Sequence, residues 1–328
     1  MKKNRRVFDG VWATIAGAGR GGFNARFAQP SRDGNPFFNV LYPVDIPPFA
    51  DEDGLLANAI RTNTVPKIFY TNGAYEYWGR AASLIHTTPD GKQDLPPAKD
   101  TRIYFFPGSQ HGTGSLPPRQ IDAQNPGNTN DYRASMRALL IAMQAWLKDD
   151  KQPPASVYPR LAKDQLVSVG AYAFPQIPGV AIPRANRQPF RLDFSVEPPK
   201  LGPPFATLVP QVDPDGNETS GIHMPEIQVP LASYTGWNLR SPKIGAPDQL
   251  YTQAGSWIPF PLNKTEREKR KDPRTSIEER YPSKNAYLEQ ITTAAQHLVQ
   301  EGFLLDRDIT YLRNRAAEEW DYALSTHN

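Results

Sequence analysis

Two polar side chains suited to joint acid–base chemistry follow two successive apolar segments of the chain. Glu76 ends residues 67–76, which begin Lys-Ile-Phe-Tyr, and His111 ends residues 102–111, which begin Arg-Ile-Tyr-Phe-Phe. An imidazole that a carboxylate holds in one tautomer can act as a general base. Acid before histidine is also the order in which a Ser…Asp/Glu…His triad ends. The pattern predicts that Glu76 and His111 form such a pair if their loops meet.

Both residues also have a structural interpretation. Glu76 opens a predicted helix, where a carboxylate interacts favourably with the helix dipole. His111 lies in a loop, where neighbouring backbone can satisfy its ring. However, Gly108, Gly112 and Gly114 indicate an unusual backbone path around His111, which a plain loop seldom needs. The joint placement at successive strand ends favours the catalytic interpretation.

No nucleophile is recognisable beside this acid and base. The chain contains no Gly-x-Ser-x-Gly, the sequence of a nucleophile elbow. The candidate serines lack the strand, turn and helix setting that exposes a nucleophile, so a structural role is expected for each of Ser31, Ser83, Ser109 and Ser115.

The elements that would position Glu76 and His111 follow the pattern of an α/β fold. Short apolar runs predict three strands, over residues 7–16, 67–71 and 102–106. Helical spacing of apolar residues predicts helices over residues 75–86 and 131–148. This alternation predicts a parallel sheet flanked by helices, in which ligands bind beyond the carboxyl ends of the strands. Both residues fall at such ends.

The whole chain, residues 1–328, is expected to form a single domain with three regions. Residues 1–150 hold the strands and the helix 131–148, whose apolar side is expected to comprise Met136, Leu139, Leu140, Met143 and Leu147. Residues 151–262 are rich in proline and extended, like a lid over the sheet, with extended segments at 190–196 and 205–212 and a turn at 213–217. Residues 263–328 are predicted to be helical, mainly over 286–301 and 306–323.

The composition of the chain argues against several classes of function. The net charge of +3 and the interrupted basic run at residues 264–271 do not indicate a nucleic-acid partner, and that run is expected to be a solvated helix or loop. The apolar runs are too short for a membrane span. The chain has 34 prolines, about twice the usual share, and no cysteine, so thiol catalysis and thiolate metal sites are excluded. A soluble globular protein is expected.

No cofactor or metal site is predicted. Residues 17–22 match Gly-x-Gly-x-x-Gly, but Pro30 and Pro36 interrupt the helix that a dinucleotide would need, so these glycines are interpreted as a sharp turn near the rim of the site. The histidines lack metal-ligand spacing. His86 is expected near a helix end, where a cation is favoured, and His223 is expected to be structural or to line a pocket.

Several longer phrases resemble a known family, the large and mostly uncharacterised α/β-hydrolase domain family of bacterial proteins. The phrases are Arg6-Val-Phe-Asp-Gly-Val, residues 16–32, residues 76–86, Pro107-Gly-Ser-Gln-His-Gly, Asp215-Gly-Asn-Glu, residues 229–238 and Glu278-Glu-Arg-Tyr. The resemblance implies that Glu76 is the triad acid and His111 the base. It also implies that the nucleophile elbow and the oxyanion donors precede residue 6, so the chain would be the C-terminal part of the domain with a partial sheet.

The resulting expectation is the C-terminal part of an esterase-like serine hydrolase that acts on a small carboxylic ester or related acyl substrate. Other groups expected around the pair are Asn72, Tyr75, Arg80 and Gln110. Two alternatives stay open. One is a non-catalytic binding or interaction module of α/β-hydrolase origin, and the other is a half that a separately encoded N-terminal hydrolase half completes.

Overall fold

A computed structural model describes residues 5–18, 56–193, 195–196 and 200–326. Its strands are β1 (Gly10–Thr14), β2 (Lys67–Gly73), β3 (Thr101–Phe106), β4 (Leu166–Val167), β5 (Phe190–Asp193), β6 (Lys200–Pro204), β7 (Val209–Pro210), β8 (Ala232–Thr235) and β9 (Ser256–Pro259). Its α-helices are α1 (Ala57–Arg61), α2 (Ala74–Gly79), α3 (Arg133–Asp149), α4 (Pro225–Gln228), α5 (Lys264–Arg270), α6 (Ile277–Arg280), α7 (Lys284–Gln300) and α8 (Ile309–Ser325).

The strands β1, β2 and β3 form a parallel sheet in that order. Gly10 lies opposite Lys67, and Ile68 lies opposite Thr101. The three strands predicted from apolar runs are confirmed, with β1 shorter than expected and β2 extending to Gly73. This parallel sheet with its helices is the arrangement of an α/β fold.

Both faces of the sheet are covered, as the apolar composition of its strands requires. Successive side chains of a strand point to opposite faces. Accordingly Phe69 packs in a core with Leu139 and Trp146 of α3, while Ile68 packs on the other face in a core that includes Leu84. Buried aromatic side chains dominate the first core, and Phe69 stacks on Trp146 with ring centroids 5.8 Å apart.

The apolar face of α3 differs in part from the prediction. Leu139 and Met143 are buried as expected, but Leu140 is 58% exposed and Leu147 is 38% exposed. The buried stripe runs through Leu139, Met143 and Trp146, at spacings of four and three residues. Leu140 follows Leu139 by one position, about 100° further round the helix, and so leaves the stripe.

Residues 75–86 do not form the single helix that their spacing predicts. Helix α2 ends at Gly79, Ala81 adopts a left-handed conformation with φ 51°, and a 3₁₀ turn follows at Ala82–Ile85. His86 is fully buried, and the hydroxyl of Tyr77 lies 2.9 Å from its Nε2. His86 follows the end of this 3₁₀ turn, as expected, but burial lowers its pKa to about 4, which favours the neutral ring over a cation.

The described part of the proline-rich region contains short antiparallel strand pairs, β4 with β7, β5 with β6, and β8 with β9, and the short helix α4. The predicted turn at residues 213–217 is present. The amide of Gly216 donates to the carbonyl of Asp213, and the amide of Asp213 donates to the carbonyl of Asn217. Tyr234 of β8 lies in the same core as Phe69. The division into three regions and the lid-like role of the second stay predictions.

The C-terminal helices agree with the prediction. Helices α7 and α8 contact one another, and their buried residues join the core on the α3 side of the sheet. The basic run forms α5, an exposed helix with an ion pair between Arg270 and Glu266. In the part of the chain that the structure describes, no helix has the length and apolar character needed to cross a membrane.

Candidate active site

The structure brings Glu76 and His111 into direct contact. Helix α2 begins immediately after β2 and carries Glu76 at its third position, and His111 lies in the loop after β3. His111 Nδ1 lies 2.6 Å from Glu76 Oε1. Because a carboxylate oxygen accepts, Nδ1–H is the donor of this hydrogen bond. The two loops therefore meet as their order along the sheet predicts.

The second oxygen of Glu76 is also fixed. The amide of Gly73, the residue before the helix, donates to Oε2 over 2.8 Å, as at many helix N-termini. A β-carbon at Gly73 would lie 2.4 Å from the Ser109 hydroxyl oxygen, so only glycine allows the two loops to approach this closely. Glu76 thus caps its own helix and binds His111 at the same time, and its structural and functional interpretations are compatible.

The environment of Glu76 is dry and mixed in charge. The residue is fully buried, and this burial raises the pKa of its carboxyl group. The hydrogen bond to His111 and its charge, the Gly73 amide and the charge of Arg80 act in the opposite direction. In such surroundings a hydrogen bond between the carboxylate and the imidazole is stronger than in water.

His111 is held at its backbone and at one ring nitrogen. Its amide donates to the carbonyl of Gln253 over 3.3 Å, and the Tyr132 hydroxyl donates to its carbonyl over 3.2 Å. The ring of Tyr75 meets the imidazole edge-on, with centroids 5.8 Å apart. The imidazole is 20% exposed, and within residues 5–18, 56–193, 195–196 and 200–326 no group hydrogen-bonds to Nε2. One ring nitrogen is therefore fixed while the other is open to a reactant.

Residues far along the chain hold the loop between β3 and His111 in place through hydrogen bonds. The side-chain amide of Asn128 donates to the Gly108 carbonyl over 2.9 Å, and that of Asn130 donates to the Pro107 carbonyl over 2.9 Å. The buried carboxyl group of Glu218 accepts from the Gly108 amide, and burial raises the pKa of Glu218 to about 8. The sequence reasoning did not assign these three residues a role, although Glu218 lies in one of the phrases that carry the resemblance.

The other residues expected around the pair have structural contacts. Asn72 accepts the Gly17 amide through Oδ1 over 2.9 Å, Gln110 accepts the Gly255 amide through Oε1 over 3.2 Å, and Arg80 contributes to the electrostatic environment of Glu76. Of the predicted glycine turn, Gly17 is described and has φ 61°, while residues 19–22 lie outside the described parts.

The candidate serines within the described parts of the chain bond to backbone groups. The Ser109 hydroxyl donates to the Phe106 carbonyl over 2.8 Å and accepts from the Ala74 amide. The Ser83 hydroxyl accepts from the Leu208 amide, and that of Ser115 donates to the Pro117 carbonyl over 3.3 Å. Ser31 lies outside the described residues. No group of three or more His, Asp or Glu side chains suited to a metal ion is found among the residues described.

Comparison with known proteins identifies the family. A protein-family model described as an alpha/beta hydrolase domain matches residues 1–314. No match was found among curated proteins, and none among solved structures.

Proposed function

The chain belongs to the alpha/beta hydrolase domain family, whose model spans almost its entire length, and from this we propose that Glu76 and His111 are the acid and the base of a serine-hydrolase triad. The observation that carries the proposal is the 2.6 Å contact of His111 Nδ1 with a fully buried carboxylate, combined with an Nε2 that no described residue hydrogen-bonds. The proposed substrate is a small carboxylic ester or related acyl compound.

In the proposed reaction His111 acts through Nε2. This nitrogen takes the proton of a serine hydroxyl while the serine oxygen bonds to the acyl carbon, and it then gives the proton to the departing alcohol. A water molecule releases the acyl group by the same route. Glu76 accepts from Nδ1–H throughout, which keeps Nε2 unprotonated in the resting state and stabilises the imidazolium that forms.

The nucleophile is proposed to lie outside residues 1–328. Two observations support this: the chain has no Gly-x-Ser-x-Gly, and the buried Ser83 and Ser109 hydroxyls bond to backbone groups. On this proposal the chain alone is inactive towards esters. A separate segment with the elbow and the oxyanion donors would complete it, and the chain would be the later part of the domain.

Labelling with a fluorophosphonate probe tests the position of the nucleophile. Residues 1–328 should show no labelled serine by mass spectrometry. A labelled serine whose reactivity disappears in His111→Asn would place the nucleophile inside the chain and contradict that part of the proposal. A labelled serine that is indifferent to His111→Asn would contradict the role of His111 as the base.

Complementation tests the catalytic role of the pair. Co-expression with a segment of the same family that carries a Gly-x-Ser-x-Gly elbow should yield p-nitrophenyl ester hydrolysis that His111→Asn abolishes. His297→Asn is a matched control, because His297 is an exposed residue of α7. Association without any hydrolysis would favour the alternative, a non-catalytic binding module.

A further inference from the structure

A cavity separate from Glu76 and His111 lies on the β3 side of the sheet. Its volume is about 470 Å³, within the range of small-molecule sites, and its walls come from residues 156–165 and residues 219–223. The first wall pairs with β3, since the Phe105 amide donates to the Val157 carbonyl and the Val157 amide to the Ile103 carbonyl. Neither Glu76 nor His111 lines the cavity.

Basic side chains line this cavity, and none of its described lining residues is acidic. Arg160 has an ion pair with Asp94 at 3.6 Å, but Asp94 also accepts the amides of Leu161 and Ala162, and Arg160 stays 45% exposed. Lys163 is exposed, and no ion pair of Lys163 is found within the described residues. The Arg160 guanidinium and the Lys163 ammonium group therefore have donors left for a ligand.

His223 also lines the cavity. Its Nδ1 lies 3.1 Å from the carbonyl oxygen of Gly221, and its Nε2 lies 2.8 Å from that of Glu218. Carbonyl oxygens only accept hydrogen bonds. Hydrogen bonding with these two carbonyls fixes the position of the imidazole in the cavity wall.

Hydroxyl groups complete the lining. Ser220 is 5% exposed, and its hydroxyl has no hydrogen-bond partner among the described residues, although a buried hydroxyl normally has one. Tyr158 and Ser156 also line the cavity. A guanidinium fork, an ammonium group and hydroxyl donors around one space form the set of groups that proteins use for oxyanions.

We propose that this cavity is a binding site for a small molecule with an oxyanionic group, either a phosphoryl or a carboxylate group, which Arg160 and Lys163 contact. The site is independent of the proposed hydrolase chemistry. Its second wall is nevertheless connected to the His111 loop, because Glu218 binds the Gly108 amide and the Ile222 amide donates to the Phe105 carbonyl.

Calorimetric titration of residues 1–328 with inorganic phosphate and with succinate, at constant ionic strength set by sodium chloride, tests the proposal. At least one of the two anions should bind, and the choice between them distinguishes a phosphoryl from a carboxylate ligand. The double variant Arg160→Gln/Lys163→Gln should bind that anion about tenfold or more weakly, because it loses charge-assisted contacts.

The matched control is Lys148→Gln/Arg313→Gln, which removes the same charge from exposed positions on α3 and α8. It should bind like the unaltered protein. Lys163→Gln alone, at an exposed position, keeps the test valid if the double variant does not fold. The proposal is overturned if neither anion binds more tightly than chloride, or if the cavity variants bind as well as the control.

Discussion

The hydrogen bonds of Glu76 make the effect of a single substitution, Glu76→Gln, predictable. The two carboxylate oxygens both accept: Oε1 from His111 Nδ1–H and Oε2 from the Gly73 amide. Glutamine has one acceptor oxygen and one NH₂ donor. If the NH₂ group faces Gly73, two donors oppose each other in a buried site. If it faces Nδ1, the imidazole must become the acceptor and carry its proton on Nε2.

The second arrangement should prevail. The first leaves a buried backbone donor unpaired, which costs about 1–3 kcal/mol, equivalent to a factor of about 5 to 150 in population. The second keeps both hydrogen bonds by moving one proton within the imidazole. With Nε2 protonated, His111 cannot accept a proton from a nucleophile. In a complemented protein we therefore expect ester hydrolysis to fall by about 10⁴-fold, the effect of a wrong histidine tautomer in other triads.

Nitrogen-15 NMR of the histidine side chains measures this change without any need for activity. Two-bond correlations between ring carbon-bound protons and ring nitrogens distinguish a protonated from a bare nitrogen, and loss of signals in His111→Asn assigns the residue. The proton should lie on Nδ1 in the unaltered protein and on Nε2 in Glu76→Gln. The His223 signals, from a ring held by two carbonyls, should not change. A Glu76→Gln variant that keeps the Nδ1–H tautomer would refute the described hydrogen bonding.

Four further substitutions test the surroundings of the site. Burial raises the pKa of Glu218 from 4.5 to about 8. Between these two pH values the folded protein keeps a proton that the unfolded chain releases. The free energy of unfolding should therefore fall as pH rises through this interval, by up to about 1.4 kcal/mol per pH unit. Urea unfolding between pH 5 and pH 9 should show a smaller loss for Glu218→Gln, which does not titrate at this position, and equal pH dependence would contradict the assignment. Gly114→Ala should lower stability by about 1–3 kcal/mol, because its β-carbon would lie 2.3 Å from the carbonyl carbon of Thr129. Gly112→Ala should change stability by no more than about 0.5 kcal/mol, because no described atom lies within 4 Å of its β-carbon. Thermal unfolding compares the two, and the reverse order would contradict the loop geometry. Glu319→Ala should destabilise the protein by about 3–5 kcal/mol, because the buried side chain of Glu319 accepts from three buried side-chain donors. Urea unfolding measures this loss. A loss below about 1 kcal/mol would show that these hydrogen bonds do not contribute as described.

Sequence reasoning identified the features that depend on nearby residues. The runs that became β2 and β3, and the periodic segments that became α3, α7 and α8, carry their signal within a few residues. The proximity of Glu76 and His111 also followed, because parallel neighbouring strands bring the loops at their carboxyl ends together.

The contacts that fix the His111 loop were not predictable in the same way. Glu218 is 110 residues from Gly108, and Asn128 is 20 residues from it. Both side chains bind backbone groups of Gly108. Every residue has such groups, so no pattern in the sequence indicates that Gly108 is the residue they bind. The break at Ala81 falls inside a segment whose apolar residues have helical spacing, so the spacing did not predict it. The exposure of Leu140 was missed although Leu140 lies one position after Leu139 and therefore off the buried stripe of α3.

Ser109 has a further consequence for how the site would meet a third group. Its hydroxyl bridges the end of β3 and the start of α2, and its carbonyl accepts the Tyr75 amide over 3.1 Å. The two loops are thus bonded to one another independently of the contact between Glu76 and His111. Folding already places the acid and the base in their positions. The entropy cost of forming the site would therefore be limited to positioning the incoming hydroxyl group.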